Sequence, residues 1–217
     1  DRARSLRLLT EPPYYVEIGA DDADNFSVSA SLGALYPVRK ARVRPFRVNV
    51  RVGGKDFDNT NSIYSEYYPG QRYDPPQLPQ ENSVIAMRNA LWLALDRSYK
   101  TAVEAIGRKK AALRGVSVTD PLPDFWAPPR LVLFEDARRA TVDERLWTER
   151  VRALSAVFGA YPGITSSIVE FDHAGGVIYS VNSLGSVIRV PDVMTMLRIR
   201  AARQAADGAT VYDGVFM

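Results

Sequence analysis

FRVNVRVGG, residues 46–54, is the clearest strand in this chain of 217 residues. Its residues alternate between an apolar and a polar side, and this period of two predicts a β-strand with one buried face. The apolar members are Phe46, Val48, Val50 and Val52, and the polar members are Arg47, Asn49 and Arg51. Proline has no amide donor, so Pro45 predicts that this strand begins at a sheet edge or at a bulge.

Similar alternation predicts further strands on both sides of this one. Upstream, residues 14–18 and 28–34 read as a hairpin that is joined by a polar turn at Asp21–Asn25. The last third of the chain predicts strands at 164–171, 177–181, 187–190, 194–202 and 209–216. The turns between them carry residues that tolerate a positive φ, namely Gly175-Gly176, Asn182–Gly185 and Asp207-Gly208.

Two helices are predicted between these groups of strands. Asn82 and Ser83 can cap a helix that runs to Gly115, and Thr141 with Glu144 forms a capping box for a second helix. The Pro-rich stretch between the helices, near 116–130, predicts a joint between subdomains. The order strands, helix, helix, strands predicts an α+β fold, with a mainly antiparallel sheet and two long helices packed on one face.

Composition excludes several classes of protein. The chain has 28 basic and 25 acidic residues, no cysteine and a single histidine, His173. Disulfides, thiolate ligands and most zinc or Ser-His-Asp chemistry are therefore excluded for this chain alone. His173 stands beside a Gly-Gly pair and reads as a solvated loop residue. No apolar run is long enough for a membrane helix, and the mild positive charge is spread along the chain.

Two features qualify as candidate binding elements. The stretch from Asp56 to Gln80 is long for a loop, and such loops are often binding surfaces or lids, although a plain surface loop is an equal reading. Its tyrosines cluster before a Pro-Pro pair, and they are Tyr64, Tyr67, Tyr68 and Tyr73. Arginines near the C-terminus also suggest a basic patch, but a solvated sheet face is the better reading. These arginines are Arg189, Arg198, Arg200 and Arg203.

Two blocks of the sequence carry a family resemblance. Residues 47–60 look like the "G-V-x-V-R-V…G…G-F-x-x-T" strand and turn of the TldD/PmbA family, also called modulators of DNA gyrase. Residues 177–185 are similar to the "N-S-x-G" hairpin of that family. The resemblance covers nearly the whole chain, but Arg47 and Asp56 replace two of the usual glycines, and the insert at 61–80 is long.

The resemblance implies that residues 1–217 are the N-terminal domain of a longer, bacterial metallopeptidase. The H-E-x-x-x-H zinc site of the family lies in a C-terminal domain and has no counterpart here. No catalytic residue and no metal ligand are therefore expected in this chain, and zinc would belong to the absent domain. The resemblance implies that the domain helps the protein to dimerise and walls the channel through which unfolded peptides reach the zinc.

Candidate peptide-binding residues follow from this reading. They are Arg47, Asn49, Arg51, Tyr64, Tyr67, Tyr68 and Tyr73. Expected partners are the C-terminal domain, a second family member in a homo- or heterodimer, and an unfolded peptide substrate. No membrane partner is expected, and nucleic acid is disfavoured.

Two other functions stay open. The chain could be a binding or scaffolding module of a catalytically inactive paralogue, or a nucleic-acid-associated protein. The compartment is not fixed either: the sequence slightly favours the cytoplasm over an exported form whose leader has been removed.

Overall fold

The computed structural model describes residues 11–61, 76–116, 122–136 and 138–217 of this chain. The predicted α+β class is confirmed, since the described residues form eight strands in one sheet and two helices. The strands are β1 (Pro13–Ser31), β2 (Ala34–Leu35), β3 (Arg39–Val43), β4 (Phe46–Val52), β5 (Val132–Phe134), β6 (Ile164–Asn182), β7 (Val187–Gln204) and β8 (Thr210–Phe216). The helices are α1 (Val84–Ala112) and α2 (Glu144–Ala156). Within the described part of the chain, no helix has the length and hydropathy that crossing a membrane requires.

The strand pairing is mainly antiparallel, as predicted. The sheet order is β2-β1-β6-β7-β5, with β3 and β4 also paired to β1 and β8 paired to β7. Only β5 and β7 pair in parallel among the pairings resolved between described residues. The turns at 183–185 and 207–208 are confirmed, and each contains a glycine with positive φ, Gly185 and Gly208.

The chain divides into two compact units. The first contains residues up to Asp21 with Arg44–Phe134 and Ile178–Arg189, and it therefore includes the described part of the Pro-rich stretch. Its core forms because the apolar side of β4 packs on the second half of α1. The buried members are Val50, Val52, Tyr99, Ala102 and Ile106.

The second unit has its own core around α2. It consists of Asp22–Val43, Glu135–Val177 and Val190–Met217. Its buried apolar side chains are Phe26, Val28, Ala30, Val151, Val169 and Phe171. Trp147 of α2 stacks on Phe171 with 3.8 Å between the ring centroids. The N-cap of α2 is Asp143, which accepts a hydrogen bond from the Leu146 amide, so the predicted cap at Thr141 is wrong by one half-turn.

The predicted hairpin at 14–34 is wrong, because β1 is one continuous strand. The polar segment Asp21–Asn25 reads as a turn, but its carboxylates are paired by arginines. Arg42 forms two hydrogen bonds of 2.8 Å with Asp22, and Arg139 pairs with both Asp22 and Asp24. Charged residues can therefore lie within the strand without ending it.

The predicted turn at Gly175-Gly176 is also wrong, because both glycines lie inside β6. A Cβ at Gly175 would lie 2.1 Å from the Ala140 carbonyl oxygen, and one at Gly176 would lie 2.7 Å from that of Asp22. These glycines permit a close approach of neighbouring backbone instead of a reversal of the chain.

The two strands predicted at 187–190 and 194–202 are likewise one strand, β7. Pro191 does not interrupt it. Along one side of β7, β5 pairs with Val187–Arg189 and β8 pairs with Arg198–Gln204. Pro191 lies between these two paired stretches. A missing amide donor is tolerated where no ladder bond is required.

Candidate functional site

The candidate site predicted on the polar side of β4 is only partly described. Arg47 is exposed and lies against Gly19, whose Cβ would be 3.0 Å from the Arg47 Nε. Asn49 is half-buried opposite Glu17 of β1, and Arg51 is half-buried further along the strand. The four candidate tyrosines, Tyr64, Tyr67, Tyr68 and Tyr73, lie outside the described residues.

Arg51 is the centre of a hydrogen-bond network with the turn that follows β4. Its Nη1 donates to Asp58 Oδ2 at 2.7 Å and to Thr60 Oγ1 at 3.1 Å. Asp58 is fully buried and also accepts from the Tyr14 hydroxyl at 2.7 Å and from the Thr60 amide at 2.7 Å. The Arg51 guanidinium lies 4.5 Å from the centroid of the Phe125 ring. These contacts hold Arg51 in one place, so its charge is largely committed to Asp58.

The electrostatics of this network favour the charged carboxylate. Burial disfavours the charge of Asp58, but hydrogen bonds from Thr60, Tyr14 and Arg51 outweigh it and lower the pKa of the carboxyl below its ordinary value. Burial and the hydrogen bond to Asp58 raise the pKa of the Tyr14 phenol. Burial opposes the charge of Arg51, and the bond to Asp58 nevertheless raises its pKa. At neutral pH the network therefore has an ionised Asp58, a charged Arg51 and a neutral Tyr14.

A second buried cation, Lys109 of α1, extends the network. Its ammonium group donates to the Thr60 carbonyl oxygen at 2.7 Å and pairs with Asp124. Asp124 also accepts from the Asp58 amide at 2.8 Å and from the Asn61 side chain at 3.1 Å. Lys109 is not among the residues predicted from the sequence. The sequence does contain one indication that Lys109 is buried. Lys109 follows the apolar Ile106 by three residues and so lies on the same side of α1, which packs on β4.

A third buried cation, Arg44, holds the chain where it returns to the helix. Its side chain is 4% exposed and donates to the Pro79 carbonyl oxygen at 2.9 Å and to Asn82 Oδ1 at 2.6 Å. The Leu78 amide donates to the Arg44 carbonyl oxygen at 2.8 Å. Buried cations therefore fix both the segment before residue 62 and the segment after residue 75.

The outer edge of β4 is used by other parts of the first unit. The Phe46 amide donates to the Pro76 carbonyl oxygen at 3.0 Å, and Ser98 Oγ donates to the Val48 carbonyl oxygen at 3.0 Å. The side-chain amide of Asn59 accepts from the Val52 amide at 2.8 Å and donates to the Val50 carbonyl oxygen at 3.3 Å. These bonds cap the edge, which leaves β4 poorly suited to pair with a further strand.

His173 is not the solvated loop residue that was expected. It lies within β6 of the second unit and is 6% exposed. Its Nδ1 is 2.9 Å from Thr195 Oγ1 and its Nε2 is 3.1 Å from the Ala140 carbonyl oxygen. Both ring nitrogens thus have partners in the protein. In the described ranges, no three or more His, Asp or Glu side chains are grouped as a metal site requires, and we assign no metal ligand.

Comparison with known proteins gives matches at the level of structure. No model of a protein family matches the chain, and no curated protein matches it. A crystal structure of a candidate modulator of DNA gyrase from Bacteroides thetaiotaomicron matches 99% of this chain and 43% of its own length, with a TM-score of 0.54 and 12% identity.

Two further crystal structures align with lower scores. A candidate modulator of DNA gyrase from Thermotoga maritima matches 93% of this chain and 38% of its own length, with a TM-score of 0.43 and 11% identity. TldE from Thermococcus kodakarensis matches 94% of this chain and 39% of its own length, with a TM-score of 0.44 and 7% identity.

The Bacteroides structure supports the fold assignment, since its match extends over almost all of this chain. The chain therefore has a TldD/PmbA-like fold, as the resemblance of residues 47–60 and 177–185 implies. It spans less than half the length of each of the three solved structures.

Proposed function

We propose that this chain is the non-catalytic N-terminal domain of a TldD/PmbA-like zinc metallopeptidase. In this proposal it contributes to dimerisation and to the channel for unfolded peptide substrates, and the zinc belongs to residues outside the chain. The TldD/PmbA-like fold supports the proposal, as does the share of the Bacteroides structure that the chain matches. A non-catalytic domain acts through its surfaces. The feature that supports a role in dimerisation is the exposed apolar surface of the first unit.

The first half of α1 carries that surface. From residue 84 to residue 98 the helix has no buried residue, whereas Tyr99, Ala102 and Ile106 further along are buried against β4. Exposed apolar side chains concentrate in this half, and they are Val84 (69% exposed), Ile85 (73%), Trp92 (40%) and Leu93 (61%). Ile85, Trp92 and Leu93 have the i, i+7, i+8 spacing of one helix face. An apolar stripe on a helix is typical of a surface that packs against another subunit.

Sedimentation velocity of the 217-residue chain over a range of concentrations tests this role. We expect a reversible dimer that the double substitution Ile85→Glu and Leu93→Glu converts to a monomer, because burying a carboxylate in an apolar contact is unfavourable. Leu122→Glu is the matched control, since Leu122 is also apolar and is 85% exposed but lies outside α1. A chain that stays monomeric at every concentration would contradict the dimerisation role, as would a dimer that the double substitution leaves intact.

A further inference from the structure

The outer edge of β8 in the second unit presents main-chain groups that do not bond to β7. β8 runs antiparallel to Arg198–Gln204 of β7. Leu197 and Met217 exchange two main-chain bonds of 2.9 Å, and the Ala205 amide donates to the Ala209 carbonyl oxygen at 2.8 Å. In an antiparallel ladder, such bonded pairs alternate with non-bonded ones. The odd-numbered residues of β8 therefore bond to β7, and the even-numbered ones direct N–H and C=O away from it. These are Thr210, Tyr212, Gly214 and Phe216. The Gly214 amide donates to Asp213 Oδ1 at 2.7 Å, so the N–H groups offered to a further strand are those of Thr210, Tyr212 and Phe216.

This edge is both exposed and apolar. Every residue of β8 is exposed, with Tyr212 at 80% and Phe216 at 78%. Among the residues that the structure describes, β8 pairs only with β7. It has no lysine, no proline and no bulge, and its one charged residue, Asp213, occupies the amide of Gly214 but of no other outward residue of β8 that the structure describes. β4, by contrast, is capped along its edge by Pro76, Ser98 and Asn59.

We propose that the outer edge of β8 binds an extended peptide, which adds to the sheet as a further strand. The inference rests on the proposed peptide-handling function and names the surface that performs it. Main-chain groups on a free edge recognise an extended backbone of any sequence, and alternate side chains then add selectivity. Such recognition is suited to unfolded polypeptides, which share a backbone and little else.

The charge near β8 indicates the kind of peptide. Arg198 and Arg200 of β7 both contact Glu170 Oε2, each at 3.3 Å, so two cations share one carboxylate. Arg200 is paired with Gly214 of β8, and a Cβ on Gly214 would lie 2.7 Å from the Arg200 Cγ. The guanidinium side chains thus lie on the face that also carries Tyr212 and Phe216. We therefore expect a peptide with acidic side chains at alternate positions to bind best.

A second copy of the chain fits this edge less well. Two copies could pair their β8 edges in an antiparallel register that involves all four outward residues. Thr210 of one copy would then lie opposite Phe216 of the other, and Tyr212 opposite Gly214. This register places the two Asp213 side chains directly opposite each other in a closely spaced pair. Like charges in that position are destabilising. Charge therefore favours an acidic peptide over self-pairing.

Fluorescence anisotropy with a labelled peptide of alternating Glu and Val residues, matched in length to β8, tests the proposal. Tyr212→Pro removes an outward N–H without removing a ladder bond to β7, and Tyr212→Val loses the same aromatic ring but keeps the N–H. We expect Tyr212→Pro to bind about tenfold more weakly than Tyr212→Val, since one or two hydrogen bonds are lost. A second peptide carries N-methyl groups on those alternate residues whose N–H would point towards β8. We expect the wild-type chain to bind it no more tightly than Tyr212→Pro binds the unmodified peptide.

The other outcomes overturn the inference. Equal affinity of the two Tyr212 variants would place the peptide elsewhere, and no binding to the wild-type chain would remove the site. A dimer that Tyr212→Pro dissociates would show that a second copy occupies the edge. Equal binding of an alternating Lys and Val peptide would refute the charge argument. The Ile85→Glu and Leu93→Glu chain should bind the peptide normally, so failure of the dimerisation role and failure of this site are distinguishable.

Discussion

Arg51 Nη1 lies 2.7 Å from the fully buried carboxylate of Asp58, and this ion pair joins β4 to the turn that follows it. Removing one partner of a buried pair leaves a charge in the interior without compensation. We expect Arg51→Ala to lower the free energy of unfolding by about 3 kcal/mol or more. Arg47→Ala, on the same side of the same strand but exposed, should change it by about 0.5 kcal/mol at most. Urea denaturation measures both, and equal effects would show that the pair is not structural.

The same carboxylate should make stability depend on pH. The pKa of Asp58 is lower in the folded chain than its ordinary value of about 4. The ionised carboxylate therefore makes its full contribution to the free energy of unfolding above that ordinary value. This contribution is lost as the pH falls through the lower pKa of the folded state. We expect Asp58→Asn to be less stable than wild type at neutral pH and to lose less stability on acidification. Melting temperatures measured between neutral and acidic pH test this, and parallel curves for the two proteins would contradict it.

Gly53 ends β4 at a position where only glycine fits. Its φ is +97°, and a Cβ there would lie 2.5 Å from the Ile106 Cδ1 and 2.6 Å from the Phe57 carbonyl oxygen. We expect Gly53→Ala to destabilise the chain by more than about 1 kcal/mol. The control is Gly54→Ala, because a Cβ at Gly54 would meet nothing within 4 Å. Chemical denaturation measures the free energy of unfolding of both variants. A Gly53→Ala chain as stable as Gly54→Ala would refute the steric argument.

Gly176 should be equally intolerant of a side chain, for a different reason. It lies inside β6, where a Cβ would be 2.7 Å from the Asp22 carbonyl oxygen and 2.8 Å from the Ala23 Cβ. Gly176→Ala should therefore push neighbouring backbone away and lower the melting temperature by several degrees. Gly159→Ala is the matched control, since no atom lies within 4 Å of its Cβ position. If Gly176→Ala melted like the control, β6 would not lie as close to β1 as described.

The sequence predicted those parts of the fold whose local pattern agrees with their environment. β4 and the Ser83 cap of α1 were predicted correctly, because alternation and capping are local properties. β1 and β6 were each predicted as two strands. Asp21–Asn25 and Gly175-Gly176 have the composition of turns, and only partners distant in sequence, such as Arg139 and Ala140, make them parts of strands.

The candidate site shows the same limit. Alternation correctly placed Arg47, Asn49 and Arg51 on the polar side of one strand. It could not show that Arg51 is committed to Asp58, because that pairing depends on the fold of the following turn. Lys109 and Asp124 were missed for a related reason: a buried ion pair looks like two ordinary surface charges until the partners are brought together. The β8 edge needed the strand register, which no local pattern supplies.

The stacking of Trp147 on Phe171 gives the chain a built-in optical reporter. Of its three tryptophans, Trp92 and Trp126 belong to the first unit, and Trp147 alone belongs to the second. Trp126 is 87% exposed, and its emission should already resemble that of a solvated indole. With Trp92 and Trp126 replaced by phenylalanine, fluorescence would follow the opening of the second core alone. The unfolding of that unit could then be timed without attaching a dye.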